Sequence, residues 1–214
     1  MSWKEERIRE LSNQLKAAGI IPPERIASEI QKIGFQCTRC GECCTGEENS
    51  VVVFPAAIRR IATQTGEPWP ETVEPPSTGE WDLQGNFHTL EWRIKKRCGS
   101  CRYYEIDAGC RVYEVRPLIC STYPFYLEDG ALLASECRGL GREIGTDDAR
   151  ELALRLIERY KTEIEEAIDL VKNYADFDRG EPSVEGLCIV HDSEGEHRIS
   201  WTKELLRRCR EGRE

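Results

Sequence analysis

The chain has 214 residues, 39% hydrophobic and 32% charged, with eleven cysteines and a net charge of −9. That acidic balance argues against a nucleic-acid binder, because phosphate affinity rests on clustered Lys and Arg. No stretch reaches the ~18 uninterrupted apolar residues of a membrane span, and the N-terminus shows no apolar signal region, so a cytoplasmic protein of one or two domains is expected.

Residues 1–36 read as an N-terminal helical arm. Ile8, Leu11, Leu15 and Ala18 recur on one face until Gly19 stops the run. Pro22 and Pro23 suit the first turn of a second helix, whose stripe is Ile26, Ile30 and Ile33 and whose stop is Gly34. Both stripes are expected to pack on the protein's own core.

Residues 37–140 carry most of the cysteines and little regular structure. Val51-Val52-Val53-Phe54 predicts a short buried strand, and Pro55 opens a helix through Ile58 and Ile61. A proline-rich loop follows over 66–79. Alternation over 87–94 predicts a single strand, and Asp129-Gly130 between Tyr126-Leu127 and Leu132-Leu133 predicts a hairpin. The basic run Arg93, Lys95, Lys96, Arg97 reads as a solvated strand end.

Residues 141–214 are expected to pack on the same core. One long helix is predicted from Asp147 to about Tyr174, with Leu152, Leu156, Tyr160, Ile164, Ala167, Ile168 and Val171 as its apolar stripe. Two strands, Leu187 to Val190 and His197 to Trp201, flank a turn at Ser193-Glu-Gly195, and a short basic helix ends the chain. The expected fold class is therefore α+β: an irregular, loop-rich, metal-stabilised cysteine-cluster domain between N-terminal helices and a long C-terminal helix with a small hairpin.

The cysteines carry the chemistry. Four open the central segment as Cys37-x2-Cys40-x2-Cys43-Cys44, and Cys98, Cys101, Cys110, Cys120 and Cys137 follow. A cytosolic chain keeps thiols reduced, and clusters of them there hold metal more often than they form disulfides. Thiolates are soft ligands for zinc or iron–sulfur clusters. Cys-x2-Cys-x2-Cys is the spacing that places three thiolates around one cubane, with a fourth from a distant cysteine. Cys43 and Cys44 are adjacent, so their side chains are expected to diverge: they serve two different sites, or one of them is not a ligand. Four cysteines from each block give eight, enough for two four-thiolate sites holding zinc or [4Fe–4S]; spacing does not pair them.

The order Cys37-x2-Cys40-Gly41-x-Cys43-Cys44, then Cys101-x8-Cys110-x-Val112-Tyr113-x2-Arg116-Pro117-x2-Cys120-x2-Tyr123-Pro124-Phe125, resembles the CxxCxxCC cysteine-cluster family of zinc- or iron-chelating, YkgJ-like proteins. The resemblance covers roughly residues 35–140. It implies eight chelating cysteines: Cys37, Cys40, Cys43, Cys44, Cys101, Cys110, Cys120 and Cys137. Cys98 departs from the pattern and is a ninth candidate ligand. The family's reaction is poorly defined, so the resemblance brings a site and no catalytic residue.

Other residues are secondary. Pro117 holds Arg116 extended on the approach to Cys120, where its guanidinium can donate to cluster sulfurs or to a carboxylate. His88, His191 and His197 lack metal-pair spacing and read as structural, with His191 and His197 opposed across the last hairpin. Gly139-Leu-Gly141-x3-Gly145 misses the dinucleotide pattern. Cys188 and Cys209 read as ordinary thiols. The favoured function is an iron–sulfur protein, with [4Fe–4S] as cofactor, that transfers electrons to a protein partner or serves a larger redox enzyme, without nucleic acid or membrane. A zinc-stabilised adaptor comes second and a metal-dependent transferase third.

Overall fold

The computed structural model describes residues 2–46, 49–183 and 186–200. Its helices are α1 (Trp3–Gly19), α2 (Pro23–Ile33), α3 (Pro55–Thr65), α4 (Trp69–Thr72), α5 (Leu118–Thr122) and α6 (Thr146–Asn173). Its strands are β1 (Val52–Val53), β2 (Val73–Glu74), β3 (Glu80–Trp81), β4 (Phe87–Thr89), β5 (Trp92–Ile94), β6 (Lys96–Arg97), β7 (Ser100–Cys101), β8 (Tyr104–Glu105), β9 (Gly109–Cys110), β10 (Phe125–Glu128), β11 (Ala131–Ala134), β12 (Cys188–Asp192) and β13 (Gly195–Ile199). The architecture is mixed α+β, irregular and loop-rich, with one long helix near its C-terminal end.

The helices begin and end where the sequence dictates. Ser2 caps α1 and Glu5 closes a reciprocal capping box, satisfying two otherwise orphan donors. Pro23 opens α2 and Gly34, at φ 74°, ends it; Pro55 opens α3 and Gly66 ends that one in the left-handed region. Asp147 and Asp148 place acid in the first turn of α6, which the helix dipole favours. Ile26 and Ile30 are fully buried as their spacing predicts, whereas Ile33 remains 38% exposed at the helix end.

The long helix is the spine. Ile164 and Ile168 pack with Leu11 and Ala18 of α1, and Ala149, Ala153 and Leu156 pack with Ile26 and Ile30 of α2 and Phe125 and Leu127 of β10. The β10–β11 hairpin turns at Asp129-Gly130 as predicted, with Tyr126 opposite Leu133 and Leu127 opposite Leu132.

The predicted strand over 87–94 is two strands in two sheets. β4 lies in a four-stranded sheet of order β13-β12-β4-β3, and β5 is the centre of a three-stranded sheet of order β1-β5-β2. Phe87, His88 and Thr89 are all buried, so β4 is covered on both faces, while Leu90 turns out to solvent at 53% exposure. A half-solvated strand alternates throughout; this segment leaves one layer and enters another at Leu90. β12 joins β4 in parallel, with Ile189 opposite His88, and carries β13 with it. That pairing seats the C-terminal hairpin on the central segment.

The predicted C-terminal hairpin is present, turning between Asp192 and Gly195. The expected end of its second strand at Trp201, the short basic helix and Cys209 lie outside the described residues. Beneath the two sheets, Val53, Ile58, Ile61, Trp81, Phe87, Trp92, Tyr103, Val112, Cys188 and Val190 form one buried core, and Cys101 and Cys110 pack against it. The cysteine region is thus mounted on a hydrophobic floor.

Candidate metal centre

The first cysteine block is shaped by a tight turn. Arg39 at φ 55° and Gly41 at φ 78° bend the chain through the left-handed region, and Glu42–Cys44 form a single 3-10 turn closed by the Cys44 N–H to the Gly41 carbonyl at 2.8 Å. Gly41 is required there twice over, since a Cβ would also stand 2.1 Å from the Tyr104 Oη. Asn49 fastens the end of the turn by donating from Nδ2 to the Glu42 and Thr45 carbonyls.

The remaining cysteines arrive on separate elements. A bridge between Thr45 and Ser100 lays the first block beside the β6–β7 ribbon, and β7 carries Cys101. Cys110 lies on β9 opposite Tyr104. Cys120 sits on α5, one turn after Pro117, whose carbonyl accepts its N–H at 3.0 Å. Cys137 is delivered by a different contact: Phe35 bridges Leu140, and the Gln36 N–H reaches the Gly139 carbonyl at 3.0 Å. That approach sets the turn of Cys137 beside the start of the Cys37–Cys44 block. Lys96 of the basic run donates to the Gly46 carbonyl at 3.3 Å, so this run helps hold the cysteine loop.

Electrostatics sorts the thiols. Burial first, and then the charges of Cys101, Cys43 and Cys110, push Cys120 up to about 12. Burial also raises Cys101 and Cys110, each with a further push from Cys43. Cys44 is driven up by donating to Cys43, by burial, and by Cys43, Cys101 and Cys120. Cys43 goes the other way: the hydrogen bond from the Cys44 thiol lowers it to about 7, with Arg116 assisting. Cys43, Cys44, Cys101, Cys110 and Cys120 therefore form one mutually interacting inner group. Cys40 and Cys137 act instead on Tyr123, whose phenol is raised by burial and then by Cys137, Cys43, Glu42 and Cys40. Cys43 bears on both groups.

The side chains of Cys43 and Cys44 do not splay apart as expected: their sulfurs lie 3.8 Å apart, so two sites that they serve would adjoin at this pair. That separation equals the sulfur–sulfur edge, about 3.8 Å, of a tetrahedron with Zn–S bonds of ~2.3 Å.

Arg116 stacks on the Tyr113 ring at 3.8 Å, and Arg39 lies over the same ring at 4.9 Å. From its stacked position the Arg116 charge favours the thiolates of Cys43, Cys110 and Cys120. Arg39, missed in the sequence, was flagged only by its place inside the first block. Cys98 occupies the turn of the β6–β7 ribbon at φ 53° with Gly99 at φ 74°, and is exposed. It is not among the leading influences on Cys43, Cys44, Cys101, Cys110 or Cys120.

All described cysteines are free thiols. Among the described residues, no three His, Cys, Asp or Glu side chains are arranged to hold a metal ion as they stand. The donor chemistry nevertheless fits a metal: grouped thiols on an apolar floor, the Arg116 guanidinium beside them, and no disulfide among the described cysteines. No helix among the described residues is long and apolar enough to cross a membrane.

Residues 36–138 match the family model CxxCxxCC, described as "Putative zinc- or iron-chelating domain". No curated protein and no solved structure matches the chain. The segment that holds the grouped thiols, residues 36–138, is thus similar to the CxxCxxCC family of zinc- or iron-chelating domains, and metal binding is what that match supports.

Proposed function

We propose that the thiols hold iron–sulfur clusters, of the [4Fe–4S] type, at two adjoining sites. Cys44, Cys101, Cys110 and Cys120 serve the inner site, and Cys40, Cys43 and Cys137 the outer, which Cys37 completes as the remaining member of the eight that the family resemblance implies. The observation that carries this reading is the pattern of interaction: four chain segments bring thiols into one another's fields, with Cys43 at the junction of the two groups. The Cys-x2-Cys-x2-Cys spacing supports iron–sulfur ligation. A cluster held there supplies one-electron chemistry, and the protein passes those electrons to a protein partner or serves a larger redox enzyme in the cytoplasm.

The chain's own residues have definite parts in this. Tyr103, fully buried, closes the floor behind Cys101 and anchors its hydroxyl on Glu67 at 2.8 Å. Burial of the inner thiols limits water, which makes each ligand's charge felt more strongly by the others. Arg116 offsets part of that negative charge from its seat on Tyr113. Zinc is the second reading, favoured by the 3.8 Å spacing of Cys43 and Cys44.

Anaerobic purification with metal and sulfide analysis separates them. The expected result is a brown protein with iron and acid-labile sulfide; a colourless protein with stoichiometric zinc and no sulfide overturns the iron–sulfur reading. Cys98→Ser is expected to leave metal content unchanged, because Cys98 stands at a ribbon tip. Loss of a metal equivalent in that variant would make Cys98 a ligand.

A further inference from the structure

A second titratable cluster lies away from the cysteines, on one face of the four-stranded sheet. His88 Nδ1 and His191 Nε2 are 2.8 Å apart, and His88 Nε2 is 3.0 Å from Asp82 Oδ2. All three side chains are buried, at 8%, 1% and 5% exposure. Asp82 also accepts the Asn86 N–H at 2.7 Å and the Asn86 side-chain amide at 2.8 Å. Burial pushes the Asp82 carboxyl up, but these hydrogen bonds outweigh it and hold it below its usual range, so it is a carboxylate.

The protons follow from that. A carboxylate only accepts, so a neutral His88 donates from Nε2 and its Nδ1 is a lone pair. His191 then donates from Nε2 to His88, which leaves His191 Nδ1 as a lone pair. That atom is buried and has no hydrogen-bond partner. His191 is therefore neutral, and its only basic nitrogen is one whose protonation creates a buried, unpaired N–H.

The chain that leaves α6 lies over this cluster as a strap. Phe177 stacks on His88 with ring centroids 3.7 Å apart, and Tyr174 meets His191 edge-on at 5.0 Å. Two backbone bonds tie the strap down: the Gly180 N–H to the Trp81 carbonyl at 2.7 Å, and the Leu83 N–H to the Asp178 carbonyl at 3.2 Å. A cleft of about 450 Å³ opens beside it, with His88, Tyr174 and Phe177 in its wall and Thr78, Leu90 and Arg93 among its other residues. We propose that the Asp82–His88–His191 chain is a proton-sensitive latch: it holds the 174–180 strap down when His191 is neutral, and a proton at His191 Nδ1 releases the strap and opens the cleft.

The neighbouring charges among the described residues enter this balance. From β12 itself Asp192 and from β13 Glu196, opposite His191, favour the proton; burial and then His88 oppose it and win, so His191 titrates below its ordinary range. On β3, Glu80 lies opposite His88 and is paired to Arg179 at 2.9 Å. The strap brings Asp176 and Arg179, paired to each other at 2.6 Å, and Lys4 of α1 donates to the Tyr174 carbonyl. From α6, Glu166 faces Asp192, and its buried carboxyl is raised by desolvation. A folded-state value depressed for a base means that the latch's stability is full above the ordinary histidine range and is lost as pH falls below it.

Amide exchange on the full, metal-loaded chain tests the latch, with rates corrected for intrinsic pH dependence. Between about pH 7.5 and about pH 5.5, opening at Gly180 and Leu83 is expected to rise by up to about tenfold per pH unit. The interior amides of α6 and the metal content should not change. His191→Gln, whose amide can still donate to His88 Nδ1, should abolish the pH dependence. An unchanged opening in the parent, or the same pH slope in the variant, overturns the proposal. Ring-nitrogen NMR of the parent gives a check independent of whether the variant folds: an imidazolium at His191 while both strap amides stay protected also overturns it.

Discussion

Cys110→Ser is expected to lose the inner metal equivalent and to unfasten the middle of the chain. Cys110 packs against the buried core and shares the inner group with Cys101 and Cys120, both held high by burial. Without a metal those thiols remain protonated, and three of them do not replace four as a cage. Complete four-ligand structural sites contribute about 10–16 kcal/mol in small peptides, so removing one ligand is expected to withdraw several kcal/mol here. For a chain of this size that lowers Tm by about 10 °C or more. Metal analysis with thermal unfolding checks it, and the parent's full metal content in the variant would strike Cys110 from the inner site.

Gly139→Ala is expected to damage the other half. A Cβ there would stand 2.4 Å from the Gln36 carbonyl and 2.9 Å from the Phe35 ring. The first contact is with backbone, which cannot swing aside, and this backbone pairing is what places Cys137 beside the first block. Overpacking of this kind costs about 3 kcal/mol, or roughly 10 °C in Tm. The outer metal equivalent should be lost and the inner kept. Gly19→Ala is the control: nothing lies within 4 Å of its Cβ, so it should be neutral or slightly stabilising. Equal loss of metal from both sites in Gly139→Ala would contradict the division of the thiols. Paired with Cys110→Ser, the two variants test that division from opposite sides.

Much of the local structure was legible because local chemistry decides it. Pro23 and Pro55 mark helix starts, Gly19 and Gly34 mark stops, and Asp129-Gly130 marks a hairpin, each through contacts within a few residues. The metal-chelating segment was legible through the cysteine spacing, and the family match covers nearly the same residues. What spacing did not reveal depends on distant partners. The break at Leu90 follows from β12 covering one side of β4. The contact of Cys43 with Cys44 lies in a turn entered through the left-handed Gly41, where Tyr104, 63 residues away, leaves no room for a Cβ. His191 was expected to oppose His197, yet the register places Glu196 opposite it and directs it to His88, 103 residues away. In the discounted glycine-rich stretch, Gly139 proves to matter for close backbone approach and not for a nucleotide.

The parallel pairing of β12 with β4 also sets a schedule for biosynthesis. Phe87 must wait for Cys188, about a hundred residues downstream, before its strand acquires its second neighbour. At translation rates of about 5–20 residues per second, that interval is roughly 5–20 s. The cysteine block, which begins at Cys37 ahead of Phe87, is complete at Cys137 before that interval ends. Metal acquisition and sheet closure are therefore separate events in time, and the nascent chain can be loaded while its central sheet still has an open edge.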